Sequence, residues 1–434
     1  MTNTARTAAA RAIAATLSGA SLSKILPTQL DTVAARERAL VQQLSYGTLR
    51  SYHRLQGILE QLLKKPLKSK DDDIHALLLC GLYQLLEMRV PDHAALSATV
   101  ESCRELGKNW ATGLVNGVLR RSVRERESLL ENLSPAQQAS LPQWLFEQIR
   151  KAWPQQLATI IAAANSHPPM CLRVNQQQVS TTDYKLQLHA AGINSSVCAL
   201  TETGLRLETA VDVALLPGFA QGHASVQDEG AQLAATLLKP QPGERVLDAC
   251  SAPGGKACHL LEQQPQLTEL VAADNSPERL HRVAENLQRL ALSATLLVED
   301  ASNPSVALED ASFQSILIDA PCSGSGVLRR HPDIKLLRRP TDIKPLAELQ
   351  LQILTALWPK LAAGGNLLYV TCSILPAENQ QVVARFLQEQ SDAEHQPLQT
   401  AWGVECEFGR QLLPQAEGAD GLYYALLRKA GSSH

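Results

Sequence analysis

The sequence predicts three folded segments in series: an all-α N-terminal domain, a small α+β module, and an α/β domain built on a parallel sheet. Three observations lead there. Up to residue 130, apolar residues recur at helical spacing and strand-type alternation is absent. Between 166 and 225 the segments are short and mixed. From 226 onward, short apolar runs rich in β-branched residues alternate with helical stretches, the pattern of a parallel sheet covered by helices.

In the front segment, 1–130, the spacing predicts helices over Ala8–Leu17, Ile25–Leu44, Leu55–Leu63, Ile74–Leu86 and Leu96–Val118, punctuated by Lys65-Pro66 and Val90-Pro91-Asp92. Residues 131–165 read as a helical linker that includes Leu145–Trp153. Met170–Asn175, after Pro168-Pro169, reads as a strand of the module at 166–225. In the last segment, 226–434, strands are expected at Arg245–Asp248, Leu270–Asp274, Thr295–Glu299, Ile316–Asp319 and Leu367–Thr371. Helices are expected near Lys256–Gln264, Pro277–Leu290, Leu346–Leu361 and Glu378–Gln390. Gly364-Gly365 is expected to end the long helix as a left-handed cap. Gln411–Pro414 and Gly421–Leu427 are expected to pair as an antiparallel hairpin at the sheet edge.

Composition removes several classes. No apolar run approaches the ~20 residues that span a bilayer. The acid-free first 30 residues, with Arg6, Arg11 and Lys24, have neither an apolar core nor a cleavage-like site, so they read as a helix of the first domain and not as a targeting segment. A cytoplasmic protein is expected. The nine cysteines include no CxxC pair, which excludes a zinc ribbon and favours free thiols over a disulfide framework. Residues 1–130 hold 18 Lys and Arg against 12 Asp and Glu, whereas the whole chain is net −3, so a basic front sits on an acidic body and is suited to meet a polyanion.

The chemistry concentrates in the last segment. Arg245-Val246-Leu247 runs into Asp248-Ala249-Cys250-Ser251-Ala252-Pro253-Gly254-Gly255-Lys256, a strand, a glycine turn and a helix start. The glycines allow close backbone approach, and helix N-terminal amides favour a carboxylate. The turn is neither GxGxxG nor a Walker loop, which disfavours NAD and ATP. Asp274 is placed to accept both hydroxyls of a ribose and Asp300 to accept an adenine amino group, while Asp319 ends the next strand. Each alone would serve as a helix cap. Together, at successive strand ends, Asp248, Asp274, Asp300 and Asp319 point to S-adenosylmethionine, held by the Cys250–Lys256 turn and these carboxylates.

Asp319-Ala320-Pro321-Cys322-Ser323-Gly324 and Thr371-Cys372-Ser373 put two cysteines at strand ends over that pocket. Carbon 5 of cytosine is a poor nucleophile. A thiolate that adds to carbon 6 activates it, and cysteine is both a good nucleophile and a good leaving group. Residue types alone do not decide whether Cys322 or Cys372 attacks. Cys80, Cys103, Cys198 and Cys406 read as small buried hydrophobes.

Residues 248–256, 319–335 and 371–379 together resemble the RNA cytosine-5 methyltransferase family. Tyr46–Arg50 and Leu114–Arg121 in the front segment resemble the NusB family of RNA-binding domains. The resemblance covers the whole chain and implies a Rossmann-like class I methyltransferase domain acting on 16S rRNA. It implies Cys372 as nucleophile, Cys322 as the cysteine of product release, and Asp319 in contact with both base and methyl donor. Cys250, Ser251, Ala252, Pro253, Gly254, Gly255, Lys256, Asp274 and Asp300 are implied as cofactor contacts. Ser251, Ala257, Leu336 and Leu422 depart from residues frequent in that family, and none of them is a reacting group.

Residues 329–344 carry six Lys and Arg against two Asp, a patch placed to hold phosphates beside the target base; Arg173 and Asn175 are further candidate RNA contacts. The target cytosine must leave its stack to react. The expected partner is 16S rRNA, naked or in early assembly, with no membrane, no metal and a monomeric chain. Alternatives are the same chemistry on tRNA or 23S rRNA, a DNA cytosine methyltransferase, and a non-catalytic NusB-like RNA-binding factor.

Overall fold

Gly107 adopts a left-handed φ of +72° and ends a helix in the middle of what the spacing suggests is one long helix, Leu96–Val118. The computed structural model describes residues 3–431, and here it shows Asp92–Glu105 and Thr112–Arg124 as separate helices. The expected Ile25–Leu44 helix is likewise split, into Leu22–Leu30 and Arg38–Arg50. Periodicity survives a turn that keeps the apolar face in phase, so it does not reveal the break. Ala5–Leu17, Tyr52–Leu62 and Asp72–Glu87 complete the helices expected in the front segment. Their core gathers fully buried Ile13, Leu44, Leu77 and Leu119, each contributing on the order of 1.5–3 kcal/mol by burial. Gly47 lies against the ring of Tyr83, where a Cβ would overlap it.

The chain divides into two units, and the boundary differs from the expected one. The helical unit runs to Asn165 and also takes in Leu328–Pro340. Residues 131–165 therefore belong to it: Pro135–Gln138, Gln143–Ala152 and Leu157–Asn165 are helices that bury Leu145, Phe146, Ile149 and Ile160. Leu328–Pro340 is inserted from downstream and held by a polar network. The buried Lys335 Nζ donates to the Arg50 carbonyl and to Asn165 Oδ1, both at 2.8 Å. Arg50 donates to the Arg329 carbonyl at 2.9 Å, and Asp333 accepts from the Leu22 amide at 3.1 Å. Arg329 and Lys335 are each only 1% exposed. This corrects the reading of the 329–344 stretch as one phosphate-facing patch: two of its six basic side chains, Arg329 and Lys335, are buried inside the helical unit.

In the second unit, β1 (Cys171–Val174), β2 (Ser195–Val197), β3 (Gly204–Leu207) and β4 (Ala224–Val226) form an antiparallel sheet ordered β2-β3-β1-β4. The helix Thr181–Ala190 buries Tyr184 and Leu188 in the core of this module. Arg173 and Asn175 are corrected as RNA candidates. Arg173 is fully buried, forked onto both carboxylate oxygens of Glu262 at 2.7–2.8 Å and bonded to Gln227 and the Gly255 carbonyl. Asn175 is also buried and donates to the Gly222 carbonyl. Arg173 lies in a strand whose four residues are all inside, and Asn175, directly after it, is itself only 1% exposed.

The larger sheet contains β5 (Arg245–Asp248), β6 (Glu269–Asp274), β7 (Thr295–Val298), β8 (Phe313–Asp319), β9 (Leu361–Thr371), β10 (Ala393–Gln396), β11 (Val404–Glu405), β12 (Arg410–Leu412) and β13 (Leu422–Lys429). Its order is β11-β12-β13-β9-β8-β5-β6-β7, with β10 also on β13. β5 to β9 are parallel, and β13 pairs antiparallel with β9 and β12, forming the expected hairpin. Helices Gly255–Gln263, Pro277–Arg289, Ile343–Leu357 and Gln380–Glu389 alternate with the strands. Gly364-Gly365 is not a helix cap. The long helix stops before Pro359, and the glycines fall within β9, where the β8 register shifts between Phe313 and Ser315. Gly364, with φ +77°, accommodates that irregularity. Among the described residues no helix is long and apolar enough to cross a membrane.

Candidate active site

Strand order reverses between β5 and β8: β6 and β7 extend the sheet one way, β9 and β13 the other. Ligands of open α/β sheets bind beyond the carboxyl ends at such a switch point. A cavity of about 200 Å³ lies there. Cys250 follows β5, Asp274 ends β6, Asp300 lies two residues past β7, and Asp319 ends β8; all four line the cavity. Leu349 and Ile353 give it an apolar wall, and Glu299 and Arg279 border it. Carboxylates opposite an apolar wall suit a ligand with a flat heterocycle, hydroxyls and amino groups.

Ser251 to Lys256 shape the turn and do not line the cavity. The Ala252 amide donates to Asp274 Oδ2 at 3.3 Å, and Gly254 donates to the Ser251 carbonyl at 2.7 Å. Gly254 holds φ +99° with Val283 Cα 3.2 Å from where a Cβ would stand, so glycine is required twice over. Pro253 follows a cis bond. Asp274 also accepts from the Ser276 amide and pairs with Arg279 at 3.3 Å. Asp300 Oδ1 is occupied by Ser302, as in a turn. Asp248 is fully buried behind them. Its carboxyl is pushed up to about 8, first by burial and then by Asp319.

Lys256 Nζ donates to Asp319 Oδ2 at 2.5 Å. Burial pushes the Lys256 ammonium down, but Asp319, with Asp248 and Cys372 behind it, outweighs burial and the net shift is upward. Asp319 thus faces a cation held in its charged form.

β8 and β9 are parallel neighbours, with Asp319 opposite Val370, so the loops that follow them emerge side by side. Cys322 Sγ lies 3.2 Å from Cys372 Sγ. The Cys322 thiol is raised well above its ordinary value, first by its hydrogen bond with Cys372 and then by burial. Both loops are pinned by Glu378, which is fully buried. Glu378 Oε1 accepts from the Ser323 amide at 2.7 Å and from Gln350; Oε2 accepts from the Ser373 hydroxyl at 2.6 Å. Ser325 bridges to Ser373 at 3.0 Å, and Gly326 donates to the Cys372 carbonyl at 2.9 Å. Asn379 donates to the Ser373 carbonyl and accepts from Thr371. Sequence reasoning assigned no role to Glu378, Asn379, Ser323 or Ser325. The signal was present in part, since Glu378-Asn379 closes the stretch that carries the resemblance. Elsewhere, Cys171, Cys198 and Glu229 bring ligand-type atoms within 4.8 Å of one another, but Glu229 is already bonded to the Leu200 amide and to Arg206.

A Rossmann-like sheet with a carboxylate-lined cavity at its switch point defines the class: a methyltransferase whose cofactor is S-adenosylmethionine. Three family models match in series. They are the NusB family over residues 3–124, the ferredoxin-like domain of RsmF/B-like methyltransferases over 141–214, and the 16S rRNA methyltransferase RsmB/F over 235–428. The chain is 51% identical to the ribosomal RNA small subunit methyltransferase B of Pseudomonas syringae, over 98% of this chain and 96% of the relative, and 46% identical to the protein of the same name from Vibrio cholerae, over 95% and 94%. A methyltransferase homologue from Pyrococcus horikoshii is similar in structure, with a TM-score of 0.56 at 26% identity over 67% of this chain and all of that one. The crystal structure of PH0851 shares the fold at TM-score 0.82 and 20% identity, over 99% and 100%. The chain belongs to the RsmB/F family of 16S rRNA methyltransferases.

Proposed function

We propose that this enzyme methylates carbon 5 of a cytosine in small-subunit ribosomal RNA, with Cys372 as the attacking thiolate and Cys322 as the group that completes release. The observation that carries this reading is the 3.2 Å approach of two thiols beside a carboxylate–ammonium pair at the rim of the cofactor cavity. Methylation of an oxygen or an exocyclic nitrogen needs no cysteine; ring-carbon methylation needs a nucleophile that can both add and leave.

Bound S-adenosylmethionine supplies a methyl group on a sulfonium centre. Asp274 and Asp300 would accept its hydroxyl and amino protons, and Cys250, at the start of the glycine turn, would border it. Asp319, charge-balanced by Lys256, is placed to accept the cytosine amino proton and orient the ring. Cys372 adds to carbon 6, and the electron pair moves to carbon 5, which takes the methyl. The chief reason that Cys322 holds its proton is the contact with Cys372. Once Cys372 is bonded to carbon 6 that contact is spent; Cys322 gives its proton to solvent, and its thiolate takes the proton from carbon 5. The electron pair of the broken C–H bond restores the ring double bond, and Cys372 departs as thiolate.

The substrate class follows the names of the relatives and the NusB match. Nuclease digestion and mass spectrometry of 16S rRNA incubated with enzyme and cofactor test the reading. The expected product is one 5-methylcytidine per rRNA. A 4-methylcytidine or 2′-O-methyl product would overturn it.

A further inference from the structure

We infer that the helical unit carries a docking face for single-stranded segments of the RNA substrate, made by the loop 63–70 and the outer side of the helix Thr112–Arg124. The inference rests on the reading of the substrate as small-subunit ribosomal RNA, and it adds a surface that grips the RNA and takes no part in the chemistry. Lys64, Lys65, Lys68 and Lys70 are all exposed, and no acid stands between Leu62 and Asp71. The acids that follow, Asp71 and Asp73, are paired with Lys108 at 2.7 and 3.8 Å, and the four lysines pair with no acid among the described residues. Leu63 and Leu67 pack against the helical core, so the loop turns its charge outward.

The loop runs alongside the helix. At one end Arg121 Nη1 donates to the Leu62 carbonyl at 3.4 Å, and at the other Lys108 Nζ donates to the Lys70 carbonyl at 2.9 Å. The helix has 13 residues and is therefore about 20 Å long, room for several phosphates in a row. Its inner side buries Val115, Val118, Leu119 and Ser122. On the outer side Gly113, Gly117, Arg120 and Arg124 recur at helical spacing, and Trp110, in the turn just ahead, continues the row. Trp110 is 56% exposed. A Cβ at Gly113 or Gly117 would meet open space, so no side chain stands between the indole and the guanidinium groups. Arg120 is steered by Asn116 Oδ1 at 3.0 Å, a neutral partner that leaves its charge uncompensated. Glu125 is taken up by Arg121 and Arg124 at 2.7 and 2.9 Å.

Uncompensated cations along a flat strip bind a chain of phosphates. An exposed indole at the end of the same strip is a stacking platform for an unpaired base. A duplex keeps its bases stacked on each other and offers the indole nothing, so the pairing of strip and indole selects single-stranded loops and ends of RNA. A membrane surface is the other common polyanion, but it calls for a helix with a broad apolar face. This helix turns glycine and arginine outward and keeps its valines and leucine at 115, 118 and 119 inside.

The test uses the full chain and a 16S rRNA transcript, with filter binding over a range of salt and with transfer of labelled methyl from S-adenosylmethionine. Both readouts ignore which atom is methylated, so an error in the carbon-5 reading does not reach this result. The triple variant Lys64→Gln, Lys65→Gln, Lys68→Gln is expected to bind the transcript about tenfold more weakly, with a log–log salt slope shallower by about 2. Trp110→Ala is expected to weaken binding about tenfold and to leave the salt slope as it was, because it removes stacking and no charge. In both variants KM for RNA should rise while kcat stays within about twofold, the signature of lost binding that ground state and transition state share. All four side chains are exposed, so Tm and S-adenosylhomocysteine affinity should match the unaltered protein. Unchanged RNA affinity in either variant would overturn the proposal. So would binding to phosphatidylglycerol vesicles that the triple variant abolishes while its RNA affinity is kept.

Discussion

Cys322 and Cys372 stand 50 residues apart in the chain and 3.2 Å apart in space. The two loops bond each other directly, Ser325 to Ser373 and Gly326 to the Cys372 carbonyl. Glu378 joins them, with one carboxylate oxygen on the Ser323 amide and the other on the Ser373 hydroxyl. Replacing Glu378 by Ala takes away the acceptor of the buried Ser323 amide and one partner of the Ser373 hydroxyl, at a cost of about 1–3 kcal/mol. Glu378→Ala is expected to lower kcat at least tenfold with little change in KM for RNA, and to lower Tm. Steady-state kinetics at a temperature below the new Tm separate the two effects.

Asp274 is fixed at the cofactor cavity by the Ala252 and Ser276 amides and by Arg279. Asp274→Asn keeps the shape but loses the charge that strengthens bonds to ligand hydroxyls, a difference of about 1 kcal/mol per bond and so about 2 kcal/mol for two hydroxyls. Calorimetry with S-adenosylhomocysteine should show affinity about 10- to 100-fold weaker. Asp274→Ala should also lower Tm, because the Ala252 and Ser276 amides lose their acceptor.

How much of this was legible in the sequence varies with the kind of information required. The strand runs and the residues at their ends were readable because apolar alternation with glycine turns is local. Arg173 was misread because its partner Glu262 lies 89 positions away and nothing local distinguishes a buried arginine from an RNA-binding one. Arg329 and Lys335 were misread for the same reason: what they meet comes from distant parts of the chain, Lys335 donating to the Arg50 carbonyl and to Asn165 while the Arg329 carbonyl accepts from Arg50. The Gly364-Gly365 signal was correctly seen as a left-handed site, but its neighbour is a strand and not a helix.

Removing one partner of the buried Arg173–Glu262 pair should be costly, since it leaves an uncompensated charge, about 3–5 kcal/mol. Arg173→Leu is expected to lower the urea midpoint of the second unit markedly. RNA affinity of the fraction that remains folded at low temperature should be unchanged, as measured by filter binding; a salt-dependent loss of affinity would instead return Arg173 to the RNA surface.

The helical unit should be acid-sensitive. His53 donates from Nε2 to the Lys335 carbonyl at 3.0 Å, and burial lowers its pKa to about 4. The folded state therefore binds fewer protons than the unfolded state between about 6.5 and about 4. The stability that neutral His53 provides is present above this window and is lost as pH falls through it. His53→Gln, which does not titrate, should flatten that part of the Tm–pH profile.

The central claim is the division of labour between the two cysteines, and the most direct measurement is a denaturing gel of Cys322→Ala and Cys372→Ala proteins incubated with 16S rRNA and S-adenosylmethionine. A slow-migrating protein–RNA adduct in Cys322→Ala and none in Cys372→Ala is the predicted result, because the first variant attacks but does not release. An adduct in Cys372→Ala would reverse the roles, and sustained turnover by Cys372→Ala without any adduct would contradict covalent catalysis altogether.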